Sequence, residues 1–215
     1  MKNIDYNYLF ENLKNGDSIG FHYKEWYYIF AKIIKFFTYT TSKSNKLAIE
    51  HIGICYNVVK TDNELTFCFG EQLTATGRTN NQIIIKKEPL YKKNGAMKYG
   101  FTVLKNSKAT THLFGKHIQF YLLELKENLT EYQNNIITRY FNDTEKYSVK
   151  SAIASVPFFQ GIFKVKNKNR DNYCSGAVHT ALQKCGVGLD IKDKLPSPAE
   201  LSTFNYIREI FKING

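Results

Sequence analysis

Three side chains in this sequence are of the right types and in the right places for acyl transfer. Cys174 stands in the run Asn172-Tyr173-Cys174-Ser175-Gly176-Ala177-Val178-His179. Ala177, Val178, Ala181, Leu182 and Cys185 recur at helical spacing, and Gly186 and Gly188 stop the pattern. Asp171 or Asn172 is placed to cap the helix so predicted. Cys174 then falls in its first turn, where the dipole and free N–H groups favour an anion, which makes it a candidate nucleophile. His51 heads a strand-like run, Glu50 to Tyr56, and Glu71 ends a second, Leu65 to Glu71, with a turn at Asp62-Asn63 between them. Antiparallel pairing of the two puts an imidazole and a carboxylate at one end of a hairpin. A thiol needs an adjacent base, and the base needs a third group to orient it. Each residue alone has a plainer reading: Cys174 as a small core residue, His51 as a buried structural histidine, Glu71 as a surface charge. His22, His112, His117 and His179 compete for the base, but His179 lies five residues along the helix and points away from Cys174.

The remaining elements must bring these three together. Tyr6 to Leu13 is a short amphipathic segment with Leu9, Phe10 and Leu13 on one face. Asn15-Gly16-Asp17 is a turn, and Ser18 to Phe21 starts a strand. Trp26 to Phe37 is aromatic and apolar with lysines inside it, which suits core packing first and a membrane surface second. Thr38 to Lys46 and Thr74 to Asn81 read as loops. Gln82 to Lys86 and Gly100 to Leu104 read as strands, with an irregular stretch between them at Pro89, Lys92, Lys93 and Gly95. Lys105 to Lys116 is polar and reads as an insertion, and His117 to Leu125 is a strong strand. Thr130 and Gln133 have capping-box spacing ahead of Ile136, Ile137, Tyr140 and Phe141. Ser151 to Phe159 suggests another helix ending near Pro157, and Lys164 to Arg170 is a basic loop leading into the Cys174 helix.

The 215 residues carry a net charge of +11 and are 43% hydrophobic, which excludes a disordered chain and favours anionic surroundings. Nucleic acid, cell-wall polymers and acidic lipid all remain open on charge alone. Cys55, Cys68, Cys174 and Cys185 show no short paired spacing, which argues against zinc and against a disulfide scaffold. No metal or cofactor is expected. No apolar signal segment follows the first residues, and no apolar run reaches about 18 residues. The expectation is a soluble protein, cytoplasmic or associated with a phage particle, in a reducing compartment. No repeat or linker demands a second domain, so 1–215 reads as one domain.

In order, L-K-N-G-D-S-I-G-F, E-H-I-G-I, F-G-E, L-T-E-Y-Q, K-Y-S, N-Y-C-S-G-A-V and S-P-A-E-L resemble the circularly permuted NlpC-type papain-like superfamily. That group includes YiiX-like proteins and, more distantly, lecithin:retinol acyltransferase. The resemblance covers roughly Leu9 to Leu201. It implies an α+β fold, an antiparallel sheet packed against helices, with the cysteine at a helix N-terminus. It implies Cys174 as nucleophile, His51 as general base, Glu71 as the residue orienting the imidazole, and Asp17 as a structural turn residue. The N–H of Cys174 is placed to form half of an oxyanion hole. Tyr56 and Tyr173 are further donors, or packing. The function expected is hydrolysis of an amide or peptide bond through a thioester on Cys174, with cell-wall peptide as first substrate. Two alternatives stand beside it. One is lipid acyl transfer or lipase-like hydrolysis, favoured by Trp26 to Phe37. The other is a non-catalytic phage or virion module that binds an anionic polymer.

Overall fold

The computed structural model describes residues 1–23, 49–73, 77–93, 96–105, 118–143, 145–146, 148–154, 172–191 and 196–214. Trp26 to Phe37, Thr38 to Lys46, Lys164 to Arg170, His112, His117 and nearly all of the Lys105 to Lys116 segment lie outside them. In chain order the elements are β1 (Lys2–Ile4), α1 (Tyr6–Asn12), β2 (Ser18–Tyr23), β3 (His51–Lys60), β4 (Glu64–Leu73), β5 (Gly77–Lys93), β6 (Ala96–Lys105), β7 (Ile118–Leu125), α2 (Glu131–Asn142), α3 (Val149–Ala154), α4 (Cys174–Lys184), α5 (Pro198–Leu201) and β8 (Ile207–Ile213). The class is α+β. Among the described residues, no helix is long and apolar enough to cross a membrane.

The strands form one eight-stranded sheet in the order β1-β8-β7-β2-β3-β4-β5-β6. Every pairing is antiparallel except β1 with β8. The sheet is curled, and α1 shows it. Tyr8 packs on Phe211 of β8 at 4.9 Å and Tyr6 on Phe101 of β6 at 5.6 Å, though these strands lie toward opposite ends of the order. Asp5 caps α1 by accepting from the Tyr8 N–H at 3.0 Å.

Strand alternation divides the core in two. Ile19, Phe21, Cys55, Phe67, Phe69, Ile83, Phe120 and Leu122 pack with Leu9, Phe10 and Leu13 inside the curl. Ile52, Ile54, Tyr56, Tyr121 and Leu123 face the helices, where they meet Ile137 and Phe141 of α2 and Ala177, Val178, Ala181 and Leu182 of α4. Gly70 lets α2 approach this closely, because a Cβ there would lie 2.6 Å from the Phe141 ring. Burying each such aliphatic side chain contributes about 1.5–3 kcal/mol.

The helix signals in the sequence act as expected. Thr130 and Gln133 form the capping box of α2. The end of α4 is a Schellman motif: Gly186 takes φ +83°, and the Val187 N–H bonds the Leu182 carbonyl at 3.0 Å.

Three expectations are corrected. The stretch from Gly77 to Asn81 is strand, not loop, because it pairs with Gly70 to Leu73 of β4 and Phe69. The stretch around Pro89 is also strand: β5 and β6 form one long hairpin, and a register shift between Pro89 and Tyr91 absorbs the proline. Asn172 does not cap α4, and Asp171 lies outside the described residues. The N-cap is Tyr173, whose side chain makes no cap hydrogen bond to the first turn. β1 and β8, which complete one side of the sheet, carried no sequence signal that set them apart.

Candidate active site

The β3–β4 pairing runs through Tyr56↔Cys68 and Cys55↔Phe69 to Ile54↔Gly70, and ends there. Beyond it His51 to Gly53 stay paired with β2, and Glu71 to Leu73 with β5. The sheet therefore forks between β3 and β4. His51 and Glu71 stand on the two sides of the fork, and their side chains close it: Nε2 of His51 lies 2.8 Å from Oε2 of Glu71. The hairpin deduction brought them to one end, but it is the parting of the strands that leaves room for both side chains.

The thiol of Cys174 lies near enough to the same ring to act on its proton, and favours the charged imidazole. Burial by itself would lower the pKa of His51. The hydrogen bonds and charges of Cys174 and Glu71 outweigh it and raise the imidazole to about 10. The site is narrow: the His51 side chain is 13% exposed and Cys174 6%. Phe21, paired directly with His51, sets its ring 5.3 Å from the imidazole. Phe69 stacks edge-on against Phe21 in turn, at 5.8 Å.

The N-terminus of α4 is held from two sides. The Ser148 N–H donates to the Asn172 carbonyl at 2.5 Å, and the Ser175 hydroxyl to the Pro196 carbonyl at 2.6 Å. Ser148 also anchors the first turn of α3, and Ser197 and Glu200 form the capping box of α5. The separate runs K-Y-S and S-P-A-E-L thus converge on the Cys174 turn. At the far end of α4, Gln133 donates to the Cys185 carbonyl at 2.7 Å and so ties α2 to it. Asp17 is fully buried and braces the sheet, accepting from the N–H groups of Leu125 at 2.8 Å and Lys14 at 3.0 Å.

Sequence reasoning missed two partners of the pair, Asn81 and Phe21. Asn81 of β5 donates to Oε1 of Glu71 at 3.4 Å and to the Thr79 hydroxyl at 3.1 Å. Only the β4–β5 register, which sets Glu71 opposite Thr79, could have revealed it. Of the competing histidines, His179 and His22 are engaged elsewhere, and His112 and His117 lie outside the described residues. His179 bonds the Tyr206 hydroxyl at 3.1 Å and the Ile191 carbonyl at 3.4 Å. His22 pairs through Nδ1 with the buried carboxylate of Glu50, at 2.9 and 3.1 Å. Cys55 is fully buried in the inner core, and Tyr56 packs against Phe141 with rings 5.9 Å apart. Among the described residues, no group of three or more His, Cys, Asp or Glu is arranged to hold a metal ion.

Comparison of the chain with models of known families and with curated proteins finds no match.

Proposed function

We propose that this chain is a cysteine hydrolase of the permuted, NlpC-type papain-like kind, which cleaves an amide or peptide bond through a thioester on Cys174. One observation carries the reading: a single imidazole, His51, bonds the Glu71 carboxylate at 2.8 Å and has its proton held by the nearby Cys174 thiol as well. That is the arrangement of an activated nucleophile with an oriented base. In the proposed reaction His51 already holds the proton beside the Cys174 sulfur at rest, and the sulfur attacks the acyl carbon as thiolate. The protonated ring then gives its proton to the departing amine. Water, deprotonated by the same ring, hydrolyses the thioester. Glu71 holds the ring and offsets its charge throughout. The net charge of +11 makes an acyl donor within an anionic polymer, such as a cell-wall peptide, the first substrate to try.

Iodoacetamide alkylation of each cysteine across pH tests the reading without a known substrate. Cys174 should react fast below pH 7, and His51→Ala should slow it. A Cys174 that reacts as an ordinary thiol, with a pKa of about 8.5, would overturn the reading.

A further inference from the structure

A second imidazole–carboxylate pair stands one residue away from the candidate site. His22 follows Phe21 on β2, Glu50 precedes His51 at the start of β3, and Phe21 and His51 are paired. Nδ1 of His22 lies 2.9 Å from Oε2 of Glu50 and 3.1 Å from Oε1. The Glu50 side chain is fully buried, and that of His22 is 19% exposed. A buried carboxylate persists only where partners offset its lost hydration. Tyr121 of β7 faces the same carboxylate: burial first, and then the Glu50 charge, raises its phenol.

The pair is one of three contacts that latch residues 49–50 onto successive residues of β2. The Ile49 side chain lies over Gly20, where a Cβ would come 2.9 Å from its Cγ2. The Glu50 N–H donates to the Phe21 carbonyl at 2.8 Å. The Glu50 carboxylate then reaches His22. β2 is itself held on its other side by β7, from Ser18↔Leu123 to Tyr23↔Ile118. The strand of the base has less support. Past Ile54↔Gly70 its pairing with β4 has ended, and among the described residues His51 to Gly53 pair only with β2. The place of the imidazole therefore depends on how the chain enters β3.

We propose that His22 and Glu50 are positioning residues for His51: their pairing latches the residue before the base to β2 and so keeps the imidazole within reach of Glu71 and Cys174. The proposal rests on the acyl-transfer reading above. The two residues act through the backbone of His51 and not on the reacting atoms. Without His22 the Glu50 carboxylate is drawn toward water, and the backbone that carries His51 moves with it.

The probe is iodoacetamide, with alkylation of Cys174 followed from pH 5 to pH 10 in the full chain. His22→Ala should raise the pH at which Cys174 becomes reactive by about one unit. Alkylation at pH 6 then falls roughly tenfold, while the rate at pH 10, where an ordinary thiol is ionised as well, stays at the wild-type value. His22→Asn sets an amide N–H where Nδ1 stood and should restore the wild-type profile. Glu50→Asp keeps the charge but draws it back by one carbon. It should shift the profile in the same direction as His22→Ala, and it carries the test if His22→Ala does not fold. Thermal midpoints are read alongside. A pair that only stabilises the fold would lower the midpoint and leave the profile of the folded chain in place, which overturns the proposal. A shift that His22→Asn does not restore also overturns it. If Cys174 of wild type reacts as an ordinary thiol, the acyl-transfer reading fails and takes this proposal with it. A fast wild type with unshifted variants sinks this proposal alone.

Discussion

The ring of Phe69 occupies the space that a side chain at Gly53 would need. A Cβ at Gly53 would lie 2.2 Å from Cζ of Phe69 and 2.8 Å from the Gly70 carbonyl oxygen. This contact sits at the root of the fork, where β3 and β4 part. Phe69 packs on Phe21, and Phe21 on His51, so the glycine is linked to the base through two phenyl rings in contact.

Gly53→Ala should therefore do two things. It cannot be accommodated by a side-chain shift alone, because one of its contacts is backbone. We expect a loss of about 1–3 kcal/mol in urea unfolding, the usual cost of overpacking. Alkylation of Cys174 should slow as His51 is displaced. A variant with wild-type stability and wild-type alkylation would show that the ring column does not hold the base.

The raised pKa of His51 has a signature in stability. Burial opposes the proton and the bonds to Cys174 and Glu71 favour it, for a net rise to about 10 from the ~6.5 of a free imidazole. The folded chain then holds this proton more tightly than the unfolded chain. The stabilisation is complete below about pH 6.5 and fades as pH climbs toward 10. Urea midpoints at pH 6, 8 and 10 should fall over that window in wild type and fall less in His51→Gln. Equal slopes in the two proteins would contradict the ion pairing of the ring.

Glu71→Gln tests the other partner. The carboxamide keeps the shape and can still accept from Nε2, but the charge that favours the imidazolium is gone. Alkylation of Cys174 at pH 6 should fall roughly tenfold or more, the scale on which a neighbouring opposite charge shifts a titration. Asn81→Ala should have a smaller effect in the same direction, since its bond to Glu71 is long, at 3.4 Å. A Glu71→Gln protein that alkylates like wild type would leave Glu71 with a structural role only.

Local signals in the sequence carried the helices and the pairing of His51 with Glu71. Thr130 and Gln133 could be read as a cap because capping is a contact between near neighbours. His51 and Glu71 could be paired because a short turn fixes which strand ends meet. Long-range choices were not legible. Gly77 to Asn81 is polar, and only its place beside β4 makes it strand. β8 reaches β7 across 81 residues and more, and β1 reaches β8 across the whole chain. Asn172 looked like a cap because asparagine often is one. The chain instead enters α4 one residue later, and the Asn172 Oδ1 is buried without a partner among the described residues. Asn81 touches the candidate site through register alone, which no local pattern encodes.

Asp17 supports the fork from a distance, and its loss should be severe. It is fully buried, yet its two carboxylate oxygens accept from Leu125 and Lys14, and its own carbonyl accepts from Cys55 at 2.7 Å. The turn thereby joins β2, β3 and β7 behind the strands that carry His51. Asp17→Ala leaves the Leu125 N–H buried without a partner, for an expected loss of about 2–4 kcal/mol. Burial pushes the Asp17 carboxyl up to about 7, against the pull of the Leu125 and Lys14 N–H groups. Its pKa therefore lies above the ~3.9 of an unfolded aspartate, and the folded chain favours the protonated form. The stabilisation Asp17 provides is then complete below about pH 4 and declines as pH rises toward 7. Asp17→Ala should thus cost more at pH 4.5 than at pH 8, in a window distinct from that of His51. Urea unfolding of both proteins at the two pH values measures the difference directly. A cost that grows with pH would mean that the buried group is stabilised as the carboxylate, and that the two N–H bonds outweigh burial.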